Sequence, residues 1–77
     1  MTADELKALP IGKRLFWVYG TGTSAVRIPT KVVEHSSKQV ALLVYFPEGQ
    51  RRIRWSLTTN QPVHESRGYV GTVSLET

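Results

Sequence analysis

The 77-residue chain contains no cysteine. That excludes a disulfide staple and a thiolate metal site. A chain this small without staples must close a compact sheet, or assemble with a partner, to bury enough apolar surface. No apolar run approaches the ~18 residues of a membrane-spanning helix. The start, Thr2-Ala3-Asp4-Glu5, is polar and acidic, unlike a secretory signal. A cytoplasmic location with no membrane partner is therefore expected. Asp4 is the sole aspartate. It sits in a short terminal segment, from which it cannot supply the buried orienting carboxylate of a Ser/His/Asp set. His35 and His64 are the only imidazoles. Glu34 and Glu65 adjoin them, but adjacent strand residues face opposite ways and cannot chelate one ion. Without a convergent acid, base and nucleophile, the expectation is no enzymatic activity, no metal and no cofactor.

Helical periodicity is also missing beyond residue 10, and no internal repeat or low-complexity segment occurs. What is present is strand pattern. Hydrophobic residues make up 40% of the chain, enough for a modest core. Gln39 to Leu57 reads as two strands joined by a tight turn at Pro47-Glu48-Gly49-Gln50. A four-residue loop pairs Phe46 with Arg51, Val44 with Ile53, Leu42 with Trp55 and Val40 with Leu57. These residues share one face, which is apolar apart from Arg51 and must be core. The other face pairs Tyr45 with Arg52, Leu43 with Arg54 and Ala41 with Ser56. A slip of one residue would bury Arg52 and Arg54, so the register is expected to be strongly specified.

The remaining elements fall around that hairpin. Thr2 and Glu5 form a capping box that opens a short helix over about residues 2–9, ended by Pro10. Leu6 and Leu9 share a face and must dock for the helix to exist. Lys13 to Tyr19 is a first strand, with Leu15, Trp17 and Tyr19 on one face and Phe16 and Val18 on the other. Both sets are apolar, so periodicity does not assign the inner face. Gly20 to Ser24 is a polar loop. Val26 to Glu34 is a second strand, and Pro29 within it implies an edge position or a bulge. His35 to Lys38 turns the chain into the hairpin. Thr58 to Pro62 is a turn with a short helical piece. Val63 to Ser66 is a brief strand, broken by Arg67-Gly68, and Tyr69 to Leu75 is a last strand or a tail.

Four stretches carry a family likeness. Pro10-Ile11-Gly12-Lys13 leads into a strand and Gly20. Pro29-Thr30-Lys31-Val32-Val33-Glu34 forms the next. The tight hairpin follows, and Arg51-Arg52-Ile53-Arg54-Trp55-Ser56-Leu57 leads into a polar turn. Over about residues 11 to 65 the chain resembles the SH3-like small barrels, the group that includes Tudor-like and KOW-like modules. The resemblance implies a mostly β, single-domain protein over 1–77. It would be a small barrel of about five antiparallel strands (about 11–66); the short N-terminal helix and an extra strand or tail at 67–77 are read from the chain itself and have no counterpart in that group. It also implies a binding module, although fold does not choose the ligand.

Three constellations bear on that ligand. Gly20-x-Gly22-x-x-Ala25 matches a dinucleotide fingerprint, but strand residues Val26 to Pro29 follow where the fingerprint needs a helix N-terminus. A mobile hairpin loop is the expected reading. Trp17, Tyr19, Tyr45 and Trp55 offer an aromatic cage for a methylated cation, by resemblance to Tudor-like modules, with Glu34 or Glu48 as its carboxylate. Trp55 on the core face favours packing instead. The basic set is the third. Arg52 and Arg54 share a strand face beside Tyr45, Arg51 is at the turn, Lys13-Arg14 are at the start of the first strand, and Arg27 and Lys31 of the second strand extend the surface. Basic positions with an aromatic among them suit phosphate contact and base stacking. The same charges on a solvated sheet would protect edge strands from pairing. The net charge of +4 permits an anionic partner without requiring one. Two partner classes follow. DNA or RNA would bind Arg52, Arg54, Arg51, Arg27 and Lys31 through phosphates and Tyr45 through a base. A protein partner, or a second copy in a homodimer, would meet the apolar first strand or the Pro29 edge.

Overall fold

Apolar residues at every second position on four successive segments build an antiparallel meander. The structure is a computed structural model that describes residues 1–20, 22–63 and 73–77. Helix α1 covers Ala3–Lys7. The strands are β1 (Arg14–Tyr19), β2 (Val26–His35), β3 (Gln39–Phe46), β4 (Gly49–Ser56), β5 (Gln61–Pro62) and β6 (Val73–Glu76). They pair in the order β5-β4-β3-β2-β1-β6, all antiparallel, in a nearly closed barrel. The expected small, mostly β barrel with a short N-terminal helix is therefore present, with six strands among the described residues, the last of them the extra C-terminal strand.

The inner face is Leu15 and Trp17 of β1, Ile28 and Val32 of β2, Val40, Leu42, Val44 and Phe46 of β3, Ile53 and Trp55 of β4, and Leu75 of β6. Trp17 is its centre. Its ring meets Trp55, Phe46 and Tyr19 edge to face, at centroid distances of 5.7, 6.1 and 6.2 Å, the arrangement favoured by the ring quadrupole. The inner face of β1, open in the sequence, is thus Leu15, Trp17 and Tyr19. Val18 is also buried on the opposite side, whereas Phe16 is exposed.

The central hairpin departs from the expected register by two residues. The observed pairs are Phe46–Gly49, Val44–Arg51, Leu42–Ile53 and Val40–Trp55. Only Pro47 and Glu48 lie in the loop. Proline holds φ near −65°, so the positive φ falls on Gly49, at 144°. A shift of two preserves the facing of every side chain, so Leu42 and Trp55 remain core residues while their partners change.

The helix is capped as expected. Glu5 N donates to Thr2 Oγ1 at 3.1 Å and Thr2 N donates to Glu5 Oε1 at 2.8 Å. Leu6 is fully buried, Leu9 packs against the core, and the Leu9 carbonyl meets His35 Nε2. The helix is shorter than the expected span of about 2–9. Between β4 and β5 the residues Leu57 to Asn60 form a turn rather than a helical piece. Asn60 has φ of 55°, accepts from Trp55 Nε1 at 3.1 Å and donates to the Met1 carbonyl at 3.2 Å. A short strand pairs with β4 over Gln61–Pro62, and Val63, where a brief strand was expected to begin, is outside it. Residues 64–66, the Arg67-Gly68 break and residues 69–72 lie outside the described residues. The last strand exists over Val73–Glu76, where Leu75 is buried against the core.

Candidate nucleic-acid interface

Side chains on the outward face of β1 to β4 fall into rows fixed by the register. Arg14 pairs with Lys31, Lys31 with Leu43, and Leu43 with Arg52. Three cations from three strands therefore stand at one level across the sheet, interrupted by one leucine. One level away, Arg54 pairs with Ala41 and Ala41 with Glu34. On the other side of the row, Tyr45 pairs with Gln50 and Phe16 with Pro29. Extending the β2–β3 register by one step sets Pro29 level with Tyr45.

The residues expected from sequence to form one surface divide. Lys31, Arg52 and Arg54 share the outward face. Tyr45 is on it too, diagonal to Arg52 rather than opposite it, a consequence of the two-residue register change. Arg51 pairs with Val44 and belongs to the alternation of Ile53 and Trp55, so it leaves this face at the open end of the hairpin. Arg27 pairs with Val18, four residues along β2 from Lys31, or about 13 Å. Its Nη2 lies 2.7 Å from Glu76 Oε1. Arg52 is similarly engaged, with Nη2 at 2.5 Å from Glu34 Oε2. Among the described residues, neither Arg14 nor Lys31 has a carboxylate partner.

A cleft of about 560 Å³ opens on this face between β1, β2 and β3, with Arg14, Phe16, Pro29, Lys31 and Tyr45 around it and Leu15 and Thr30 beneath. Phe16 and Tyr45 are 39% and 40% exposed, two rings on the outward face at the same cleft. The sequence places Arg14 in the basic set at the start of the first strand, and Phe16 and Pro29 on the apolar strand and the edge that would meet a protein partner; it assigns none of the three to this surface. The signal was there in part: if Trp17 is inside, Phe16 must be outside. What alternation lacks is the register that brings Phe16 and Arg14 beside Lys31. A smaller hollow of about 230 Å³ lies toward the other end of the face, lined by Glu34, His35, Ser36, Gln39, Ala41, Arg52 and Arg54.

The other constellations separate. Trp17 and Trp55 are buried inside the barrel and Tyr45 stands outside it, so no cage assembles. After Gly20 and Gly22 comes a three-residue 3-10 turn, Gly22–Ser24, and then β2, so the fingerprint lacks its helix. Among the described residues, no group of three or more His, Asp or Glu gathers in one place, and no helix is long and apolar enough to cross a membrane. Compared with protein-family models, curated proteins and solved structures, the chain matches none.

Proposed function

We propose that this protein is a non-catalytic binding module that takes nucleic acid on the outward face of β1 to β4, and that it works in the cytoplasm. The observation that carries the reading is the row Arg14, Lys31 and Arg52, three cations at one level of three strands with exposed Phe16 and Tyr45 beside them. Positive charge tracking across a sheet answers the phosphate backbone, and exposed rings answer bases. Arg52 would exchange Glu34 for phosphate, a modest cost because both side chains are more than half exposed, at 57% and 63%.

The test is anisotropy of fluorescein-labelled DNA and RNA oligonucleotides titrated with the intact protein at 50 and 200 mM salt. Three phosphate contacts give a log–log salt slope of about −2 on single strands, which is roughly a twentyfold loss of affinity across that range. Arg14→Glu with Lys31→Glu should abolish binding without unfolding the chain, since neither residue is in the core. Absence of saturable binding at 50 mM overturns the proposal. Self-association or protein binding that is indifferent to salt would instead favour an assembly role through apolar surface.

A further inference from the structure

We infer that the cleft between β1, β2 and β3 is a single-strand subsite, taking one unpaired nucleobase between Phe16 and Tyr45 with the flanking phosphates on Arg14 and Lys31. The inference rests on the nucleic-acid reading and narrows it to a substrate class.

Pro29 makes the cleft. Val32 N donates to Lys13 O, toward β1, and Val32 O accepts from Gly12 N on the same side. Amide direction alternates along a strand. Three residues earlier, the amide of residue 29 would therefore point to β3, and proline has none. The β1–β2 ladder runs through Pro29 undisturbed, while the β2–β3 ladder ends at Thr30–Val44. The strands stop pairing at the level where Phe16 and Tyr45 stand on either side of Pro29.

The dimensions and charge suit a base. Phe16 and Tyr45 are two strand spacings apart, about 10 Å between backbones. A base held between two rings needs about 7 Å between them, twice the stacking distance. A cleft of about 560 Å³ lies within the usual range for small-ligand sites. Among the described residues its lining has two cations and no carboxylate, and Arg14 and Lys31 are not engaged by described acids. An uncharged or cationic ligand would leave that charge unanswered. Duplex bases are stacked and paired and cannot enter, so only an unpaired nucleotide presents both its π-face and its phosphates here.

The experiment measures the affinity of the intact protein for a labelled oligothymidylate and for a blunt hairpin duplex, at 50 mM salt. Wild type should prefer the single strand. Phe16→Ala and Tyr45→Ala should each weaken single-strand binding about five- to 150-fold, while leaving the duplex affinity and the salt slope in place. Tyr45→Phe should keep wild-type affinity, because the ring, not the hydroxyl, stacks. Both positions are substantially exposed, and melting curves report that the variants fold. If the alanine variants bind the single strand as wild type does, or if wild type does not distinguish strand from duplex, the subsite is overturned and the broader reading stands. If neither oligonucleotide binds, both fall together.

Discussion

Asn60 joins three parts of the chain through one side chain. Its Oδ1 accepts from the buried Trp55 indole, its Nδ2 reaches the Met1 carbonyl, and its backbone occupies the left-handed region at φ of 55°. Asn60→Ala removes the indole's acceptor, worth about 1–3 kcal/mol, and keeps a Cβ in the left-handed region without the polar side chain that lets asparagine adopt it. Asn60→Gly loses the bond but relieves the backbone. A domain of this length has about 4–12 kcal/mol in total. Urea denaturation should therefore rank wild type above Gly and Gly above Ala; an alanine variant equal to wild type would remove Asn60 from this role. Nothing in the sequence around Thr58-Thr59-Asn60 singles out the asparagine, because its partners Trp55 and Met1 meet it only in the fold. Leu42 and Trp55 were legible as core, since alternation alone assigns their face. Phe16 and Val18 were not, since both faces of β1 are apolar and only tertiary packing covers Val18 and leaves Phe16 in solvent.

The elements differ in how local their causes are. The helix start was legible because a capping box needs only residues three apart. Its carboxyl gives a pH test. The backbone N–H of Thr2, and then its side-chain hydroxyl, hold the Glu5 carboxyl below its ordinary pKa. A carboxyl with a lowered pKa in the folded chain stabilises fully above its unfolded pKa, and that contribution is lost as pH falls through the folded value. Acid should thus loosen α1 before it touches the sheet. By NMR, the Thr2 amide shift should titrate with Glu5, α1 amides should exchange faster at low pH, and β3 amides should not respond. Glu5→Gln should abolish the Thr2 titration, and a Thr2 amide that is flat through the acid range in wild type would refute the reciprocal cap. The hairpin shows the opposite case. Its facing was legible and its register was not, because a shift of two leaves every apolar residue on the same side. Pro29 lay between these cases. The sequence implied an edge position or a bulge at Pro29; β2 instead lies between β1 and β3, its bulge falls between Val32 and Glu34, and the proline is accommodated because the β2–β3 ladder ends one residue away at Thr30–Val44.

At the scale of the whole molecule, charge and stability separate. The net charge of +4 permits an anionic partner without requiring one, and its division across the surface is visible only in the fold, where Arg27 and Arg52 stand opposite Glu76 and Glu34 and, among the described residues, Arg14 and Lys31 are not so matched. Both ion pairs are exposed, and such pairs contribute about 0–1 kcal/mol each. Salt weakens them, yet the same salt screens repulsion among the excess cations, a small effect of opposite sign. The barrel is held by its apolar face, centred on Trp17, which salt at these concentrations does not weaken. Phosphate contacts behave differently, because each one releases a counterion. Between 50 and 500 mM salt, three contacts on a single strand should cost roughly a hundredfold in affinity, while the melting temperature moves by only a few degrees, about 1 kcal/mol or less. Measuring both on the same sample distinguishes the causes. A melting temperature that falls in step with affinity would mean that binding is lost through unfolding, and an affinity that stays flat would place the contact on apolar surface instead of on Arg14, Lys31 and Arg52.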